Sequence, residues 1–119
     1  WKTTPFYMSY QLSKSGLLTA TRTLAQALAP RIRVNGIGPG YMRTEIGARP
    51  LSDPKVKSLL ETLTPMRRPG EPEEMKGLVV FLASDDARHV TGAGWLIDGG
   101  QTMQSWANAP DAEAYPLVR

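Results

Sequence analysis

Tyr10 and Lys14, four positions apart in the sequence, are the pair of residues best suited to proton transfer. On a helix this spacing places both side chains on one face. An ammonium group close to a phenol stabilises the phenolate, and a tyrosine assisted in this way can donate or accept a proton near neutral pH. Such a donor suits reduction of a carbonyl, in which a proton reaches the oxygen while hydride reaches the carbon. Taken alone, the spacing also fits an ordinary pair on a helix surface.

Other candidate residues are less informative. His89 is the only histidine and the chain has no cysteine, so we predict no metal site. Arg67 and Arg68 could contact an acidic substrate, although a solvated loop is the better interpretation. Tyr7 has glutamine rather than lysine four residues later, which makes it a poor acid/base candidate.

The elements that must position these residues alternate between helix and strand. A leucine stripe at helical spacing predicts a first helix from Ser9 or Ser13 to residue 29, where a proline follows. The β-branched run 31–37 predicts a strand, and Gly38-Pro39-Gly40 predicts a loop directly after it.

The second half of the chain continues this alternation. Asp53 before a proline predicts a short helix at about 54–62, and residues 43–63 are expected to form a substrate lid. A further helix is predicted from Pro72, with a buried stripe of Met75, Leu78, Val79 and Leu82, and a strand at 95–98. This is an α/β pattern. Two strands do not make a stable parallel sheet by themselves, so neighbouring strands are expected elsewhere and an open apolar face where they would lie.

Composition excludes several classes of protein. The 119 residues are 41% hydrophobic and carry a net charge of +3, with basic residues too scattered for a nucleic-acid-binding arm. No apolar run is long enough for a membrane span, and no signal peptide is recognisable. A cytoplasmic location is predicted. The first residue is Trp1 rather than Met, so we expect the chain to be part of a longer protein.

Six motifs in the same order resemble those of the short-chain dehydrogenase/reductase family, over about residues 10–100. They are Tyr10-Gln11-Leu12-Ser13-Lys14, the run from Leu24 to Ile37, Pro39-Gly40 with Thr44, Arg68 to Glu74, Leu82 to Gly92, and Asp98-Gly99-Gly100. The ordered set makes the resemblance highly specific.

The resemblance implies roles for individual residues. Tyr10 is the general acid/base, and Lys14 assists its ionisation and bonds the nicotinamide ribose. Pro39 and Gly40 pass beside the nicotinamide ring, the Met42 backbone holds the carboxamide, and the Thr44 hydroxyl contacts carboxamide or pyrophosphate. The cofactor is NAD or NADP. Two further polar residues are interpreted as structural: Asn35 and Asp98.

The resemblance also implies the fold. We expect the C-terminal portion of a Rossmann-like doubly wound parallel sheet with flanking helices over residues 1–102, followed by a tail at 103–119. The family's Gly-x-x-x-Gly-x-Gly fingerprint and its catalytic serine would lie upstream of Trp1. The N-terminal half of the same fold is therefore an expected partner.

The function so predicted is an NAD(P)-dependent oxidoreductase interconverting a carbonyl and a secondary alcohol of a small molecule. We expect a homo-oligomer, dimer or tetramer, with no nucleic acid and no membrane partner, and no activity from the 119 residues alone. The alternative is a noncatalytic assembly fragment that acts only through its interaction surfaces.

Overall fold

The computed structural model describes residues 8–45 and 51–103. Expectations about Tyr7, about part of the lid and about the tail beyond residue 103 lie outside those residues. The described elements include the helices α1 (Met8–Leu28), α2 (Pro54–Leu63) and α3 (Lys76–Ala83), the strands β1 (Gly36–Pro39) and β2 (Gly94–Ile97), and 3₁₀ turns at Pro72–Met75, Asp85–Ala87 and Gln101–Met103. The chain divides into two compact units, which in the described residues are 8–38 with 76–96, and 39–45 with 51–75 and 97–103.

Within the first unit, α1 packs through a face of small side chains. Leu17 and Leu24 are 60% and 48% exposed, whereas Thr21 and Ala25 are buried. A Cβ built on Gly92 would lie 3.5 Å from the Ala25 Cβ, so small side chains bring α1 close to the backbone. The positions at helical spacing thus predicted the helix, and Thr21 is the buried member of that set.

The two strands form a two-stranded sheet. The Gly36 N–H donates to Ala93 O and the Gly40 N–H to Ile97 O, each at 2.9 Å, with the constant offset of a parallel pair. The prediction of a strand at 95–98 is confirmed to within one residue, whereas the strand predicted at 31–37 occurs later, at β1.

Polar side chains explain why the first strand starts late. Asn35 donates from its amide to Val90 O at 2.9 Å and accepts from the Ala93 N–H at 3.2 Å, which supports its interpretation as structural. The Arg33 guanidinium donates to Leu82 O at 2.7 Å and to Ser84 O at 3.2 Å. Carbonyls at a helix C-terminus lack helical partners, so the Arg33 side chain caps the C-terminal end of α3 by hydrogen bonding.

In the second unit, α2 forms as predicted. Its N-cap Asp53 accepts from the Lys55 N–H at 2.8 Å, and the C-cap Thr64 N–H donates to Leu60 O at 3.0 Å. The predicted helix from Pro72 occurs as a 3₁₀ turn followed by α3, in which Val79 is 49% exposed rather than buried.

The described residues bury little apolar side chain. No large side chain among them is fully buried, and the buried hydrophobic residues are Ala25, Met42 and Ala87. Large apolar side chains are instead exposed, and they include Val80 at 67% and Leu96 at 61%. No helix in these ranges is both long and apolar enough to cross a bilayer.

Candidate active site

The first unit carries the tyrosine–lysine pair near the N-terminus of α1. The Lys14 Nζ lies 5.4 Å from the centroid of the Tyr10 ring, within the range of a cation–π contact. Tyr10 is 60% exposed, and the Ser13 hydroxyl donates to its main-chain oxygen at 2.8 Å. The helical spacing therefore does bring the two side chains together, and the phenol is accessible to a ligand.

The second unit carries the loop that follows β1. Pro39 and Thr44 are exposed, Gly40 is half-buried, and Met42 is buried. The Thr44 N–H donates to Met42 O at 3.0 Å. Pro39 is the last residue of β1, so the loop predicted at 38–40 begins later than expected. The four residues predicted to contact the cofactor thus lie in one short segment at the end of a strand and directly after it, which is where ligands of open α/β sheets bind.

Met42 presents a main-chain donor in this loop. The residues before and after Met42 form main-chain hydrogen bonds with Gly70. The Gly70 N–H donates to Tyr41 O at 2.9 Å, and the Arg43 N–H donates to Gly70 O at 2.8 Å. Within residues 8–45 and 51–103, no protein acceptor receives the Met42 N–H. Because Met42 is only 9% exposed and buried backbone groups normally have partners, this N–H suits a ligand acceptor such as a carboxamide oxygen.

The turn after β2 supports the loop. A Cβ on Gly40 would lie 2.6 Å from the Asp98 Cα, so only glycine fits this approach. The Gln101 side-chain oxygen accepts the Tyr41 N–H at 3.0 Å. Sequence reasoning missed Gln101, whose one available signal is its place directly after Asp98-Gly99-Gly100.

Asp98 holds that turn together and has no catalytic arrangement. It accepts from the Gly100 N–H at 2.9 Å, the Thr102 N–H at 2.8 Å and the Thr102 hydroxyl at 2.7 Å. Burial raises the pKa of this carboxyl, but the donors from Thr102 and Gly100 outweigh it, and the net pKa is below the usual range. Asp98 is thus an ionised structural anchor, in agreement with its interpretation from the sequence.

Arg67 and Arg68 are engaged within the protein. The Arg68 guanidinium donates to the Glu74 carboxylate at 2.7 and 2.6 Å, and Arg67 donates to Thr62 O at 2.8 Å. The bond from Arg68 and a second from the Glu71 N–H lower the pKa of Glu74 to about 2. These contacts favour a structural role over recognition of an acidic substrate.

The comparisons with known proteins agree with the predicted family. The protein-family model described as enoyl-(acyl carrier protein) reductase matches residues 2–102. The chain is 43% identical over 100 residues to 3beta-hydroxysteroid dehydrogenase 1 of Eggerthella lenta, covering 83% of this chain and 38% of that protein. It is 45% identical over 92 residues to L-rhamnose 1-dehydrogenase (NAD(P)(+)) of Azotobacter vinelandii, covering 76% of this chain and 36% of that protein.

Solved structures show the same relationship. A 4-hydroxyisoleucine dehydrogenase complexed with NADH matches with a TM-score of 0.78 at 33% identity, over 81% of this chain and 40% of that one. A short-chain type dehydrogenase/reductase from Mycobacterium marinum matches with a TM-score of 0.70 at 42% identity, over 78% of this chain and 36% of that one.

The chain belongs to the short-chain dehydrogenase/reductase family, and the Rossmann-like α/β fold class predicted from the sequence is confirmed. It spans less than two-fifths of the length of the two curated relatives.

Proposed function

We propose that this chain supplies the proton-transfer residues and the nicotinamide-binding loop of an NAD(P)-dependent oxidoreductase that interconverts a carbonyl and a secondary alcohol. The observation that carries the proposal is the pair on α1, in which the Lys14 Nζ lies 5.4 Å from the ring centroid of an exposed Tyr10. The dehydrogenases among its relatives favour an enzyme over a noncatalytic assembly fragment.

Tyr10 is the proton donor and acceptor. In the direction of reduction, the Tyr10 hydroxyl gives its proton to the carbonyl oxygen, and the resulting phenolate is stabilised by the Lys14 ammonium. In the direction of oxidation, the phenolate takes the proton of the alcohol. Proton transfer from a positioned side chain is worth about 10²–10⁴-fold in rate. When bound, the reduced nicotinamide supplies the hydride that the carbonyl carbon accepts.

The residues present fit the nicotinamide end of a dinucleotide. Lys14 offers donors to the ribose hydroxyls, and the Met42 N–H offers one to the carboxamide oxygen. Pro39, Gly40 and Thr44 lie in the same short segment as Met42. One relative is named for NAD(P)(+) and one structural neighbour is a complex with NADH, which supports NAD or NADP as the cofactor here.

The partners follow from the same reasoning. The substrate is a small-molecule carbonyl or alcohol, and the exposed apolar side chains of α1, α3 and β2 are suited to packing against the N-terminal half of the fold and against further copies of the protein in a dimer or tetramer.

The test is to replace Tyr10 with phenylalanine in the complete natural protein, which removes the proton while keeping the ring. We expect turnover to fall by roughly 10² or more with folding unchanged. Lys14→Ala should lower turnover and also weaken dinucleotide binding. Lys76→Ala is the matched control, because Lys76 is an exposed lysine of α3 and lies outside the predicted lid. Near-normal turnover in a folded Tyr10→Phe variant would contradict the proposal.

A further inference from the structure

We propose that the segment Arg68–Glu74, here called the positioning segment, sets the position of the Met42 N–H and thereby the affinity of the protein for the nicotinamide end of its cofactor. None of its residues is assigned to touch the cofactor. Their effect passes through the loop 40–44, and the inference rests on the proposed function.

The backbone contact is the first step. Gly70 forms a parallel bridge to the loop through two hydrogen bonds, one to Tyr41 O and one from the Arg43 N–H. In an extended chain, the N–H and C=O of successive residues point to opposite sides. Fixing Tyr41 O and the Arg43 N–H toward Gly70 therefore directs the Met42 N–H away from the positioning segment. The bridge thus sets both the location and the direction of the donor.

Packing at the bridge adds a steric constraint. A Cβ on Gly70 would lie 2.5 Å from the Met42 Sδ, so the loop approaches the positioning segment as closely as a glycine allows. Met42 is buried, which limits how far its thioether can move aside. The loop cannot shift toward the segment, and the two hydrogen bonds oppose a shift away from it.

An ion pair between side chains also joins the loop to the positioning segment. The Arg43 Nε lies 2.8 Å from the Glu71 Oε1, so adjacent residues of the loop and the segment are joined by both main chain and side chains. The segment itself is closed by Glu74, which accepts from the Arg68 guanidinium and, at 2.8 Å, from the Glu71 N–H. Glu71 is therefore held at its N–H by Glu74 while its carboxylate holds Arg43.

These ion pairs are too exposed for their main effect to be on the stability of the fold. The side chains of Arg43 and Glu71 are 55% and 45% exposed, and those of Arg68 and Glu74 are 45% and 40% exposed. Exposed ion pairs contribute little to folding, whereas small displacements of a ligand-positioning group can greatly weaken its action. Their loss should consequently appear in ligand binding before it appears in unfolding.

The experiment compares a whole dinucleotide with the same molecule lacking nicotinamide. The complete natural protein is titrated with NADH and with ADP-ribose, or with NADPH and 2′-phospho-ADP-ribose if the protein prefers the phosphate. The variants are Glu71→Gln, which removes the charge with little change of shape, and Arg43→Gln, which breaks the same pair from the other side. Glu61→Gln is the matched control, because it breaks the Lys57–Glu61 pair of α2, at 3.2 Å, and these titrations contain no substrate for the predicted lid to cover.

We expect Glu71→Gln to weaken dinucleotide binding about fivefold, corresponding to about 1 kcal/mol, with ADP-ribose binding unchanged. Arg43→Gln should do the same, and the exchange Arg43→Glu with Glu71→Arg should recover part of the loss. Glu61→Gln should leave both affinities unchanged.

Two results separate this inference from the proposed function. If the natural protein binds the dinucleotide but Glu71→Gln and Arg43→Gln behave like Glu61→Gln, or weaken both probes equally, the positioning segment has no such role. If the natural protein binds no dinucleotide at all, the proposed function fails and the inference fails with it. Should Glu71→Gln not fold, Arg43→Gln decides between these outcomes.

Discussion

Replacing Gly40 with alanine tests whether the loop after β1 must approach the turn after β2 as closely as the structure shows. The added Cβ would lie 2.6 Å from both the Cα and the Cβ of Asp98, and 2.9 Å from the Gln101 Oε1. Carbon atoms in optimal contact are about 3.5–4.0 Å apart. The overlap is therefore about 1 Å, and it falls partly on main chain, which cannot rotate aside.

Relief of this overlap requires the loop and the turn to separate. Separation would stretch the bond from the Gly40 N–H to Ile97 O, now 2.9 Å long, and the bond from the Tyr41 N–H to the Gln101 Oε1, now 3.0 Å. Overpacking costs about 1–3 kcal/mol, and a weakened hydrogen bond adds about 1 kcal/mol. We expect Gly40→Ala to lower the free energy of unfolding by about 2–4 kcal/mol.

The assay is chemical denaturation of the complete natural protein, followed by dinucleotide titration under conditions where the variant is folded. Gly77→Ala is the matched control, since among the described residues no atom beyond the adjoining turns of α3 lies within 4 Å of a Cβ at Gly77, and alanine favours a helix over glycine by about 1 kcal/mol. It should leave stability unchanged or raise it. A Gly40→Ala variant as stable as the natural protein, with unchanged dinucleotide affinity, would refute the argument from close approach.

Two further predictions concern the second unit. Gly100 has a φ of 84°, and a Cβ there would lie 2.8 Å from the Pro65 Cγ. Gly100→Ala should therefore lower the free energy of unfolding, measured by denaturation, by about 1–3 kcal/mol. A variant of equal stability would count against strain at this turn. The Glu74 pKa of about 2 lies below the ordinary value near 4.3, so its stabilising effect is complete above about pH 4.5 and is lost as the pH falls toward 2. Because the side chains of Arg68 and Glu74 are 45% and 40% exposed, this contribution to stability is small. Melting temperatures measured from pH 6 to pH 3 should fall only slightly less steeply for Glu74→Gln, and a much shallower curve for this variant would contradict the small contribution of an exposed pair.

The local arrangement of the candidate site residues could be predicted because those residues are close in sequence. Tyr10 and Lys14 lie one helical turn apart, so local geometry alone brings them together. The loop from Pro39 to Thr44 likewise follows from chain order. The contact between Gly70 and the loop was not predicted, because the bridge to Met42 joins segments that are distant in the sequence. A single sequence carries no periodic signal for such a contact.

The fold was predicted where local signals act and missed where packing decides. The Asp53 cap fixes α2 whatever surrounds it. The start of β1 instead depends on Asn35, which bonds Val90 and Ala93, more than fifty residues away. In α1, helical spacing predicted the element, whereas the burial of Thr21 and Ala25 depends on Gly92, a distant glycine that lets the helix approach the backbone.

The 119 residues expressed alone should not form a stable domain, and this last prediction follows from burial. Within the described residues the sheet has two strands, whereas sheets that are stable by themselves usually have three or more, and the buried apolar side chains there are two alanines and a methionine. Because apolar burial is the main force that opposes chain entropy, we expect no cooperative thermal transition by circular dichroism and no NAD(P)H-dependent ketone reduction. A sharp melt accompanied by tight NADH or NADPH binding would show that these residues are sufficient for folding and cofactor binding.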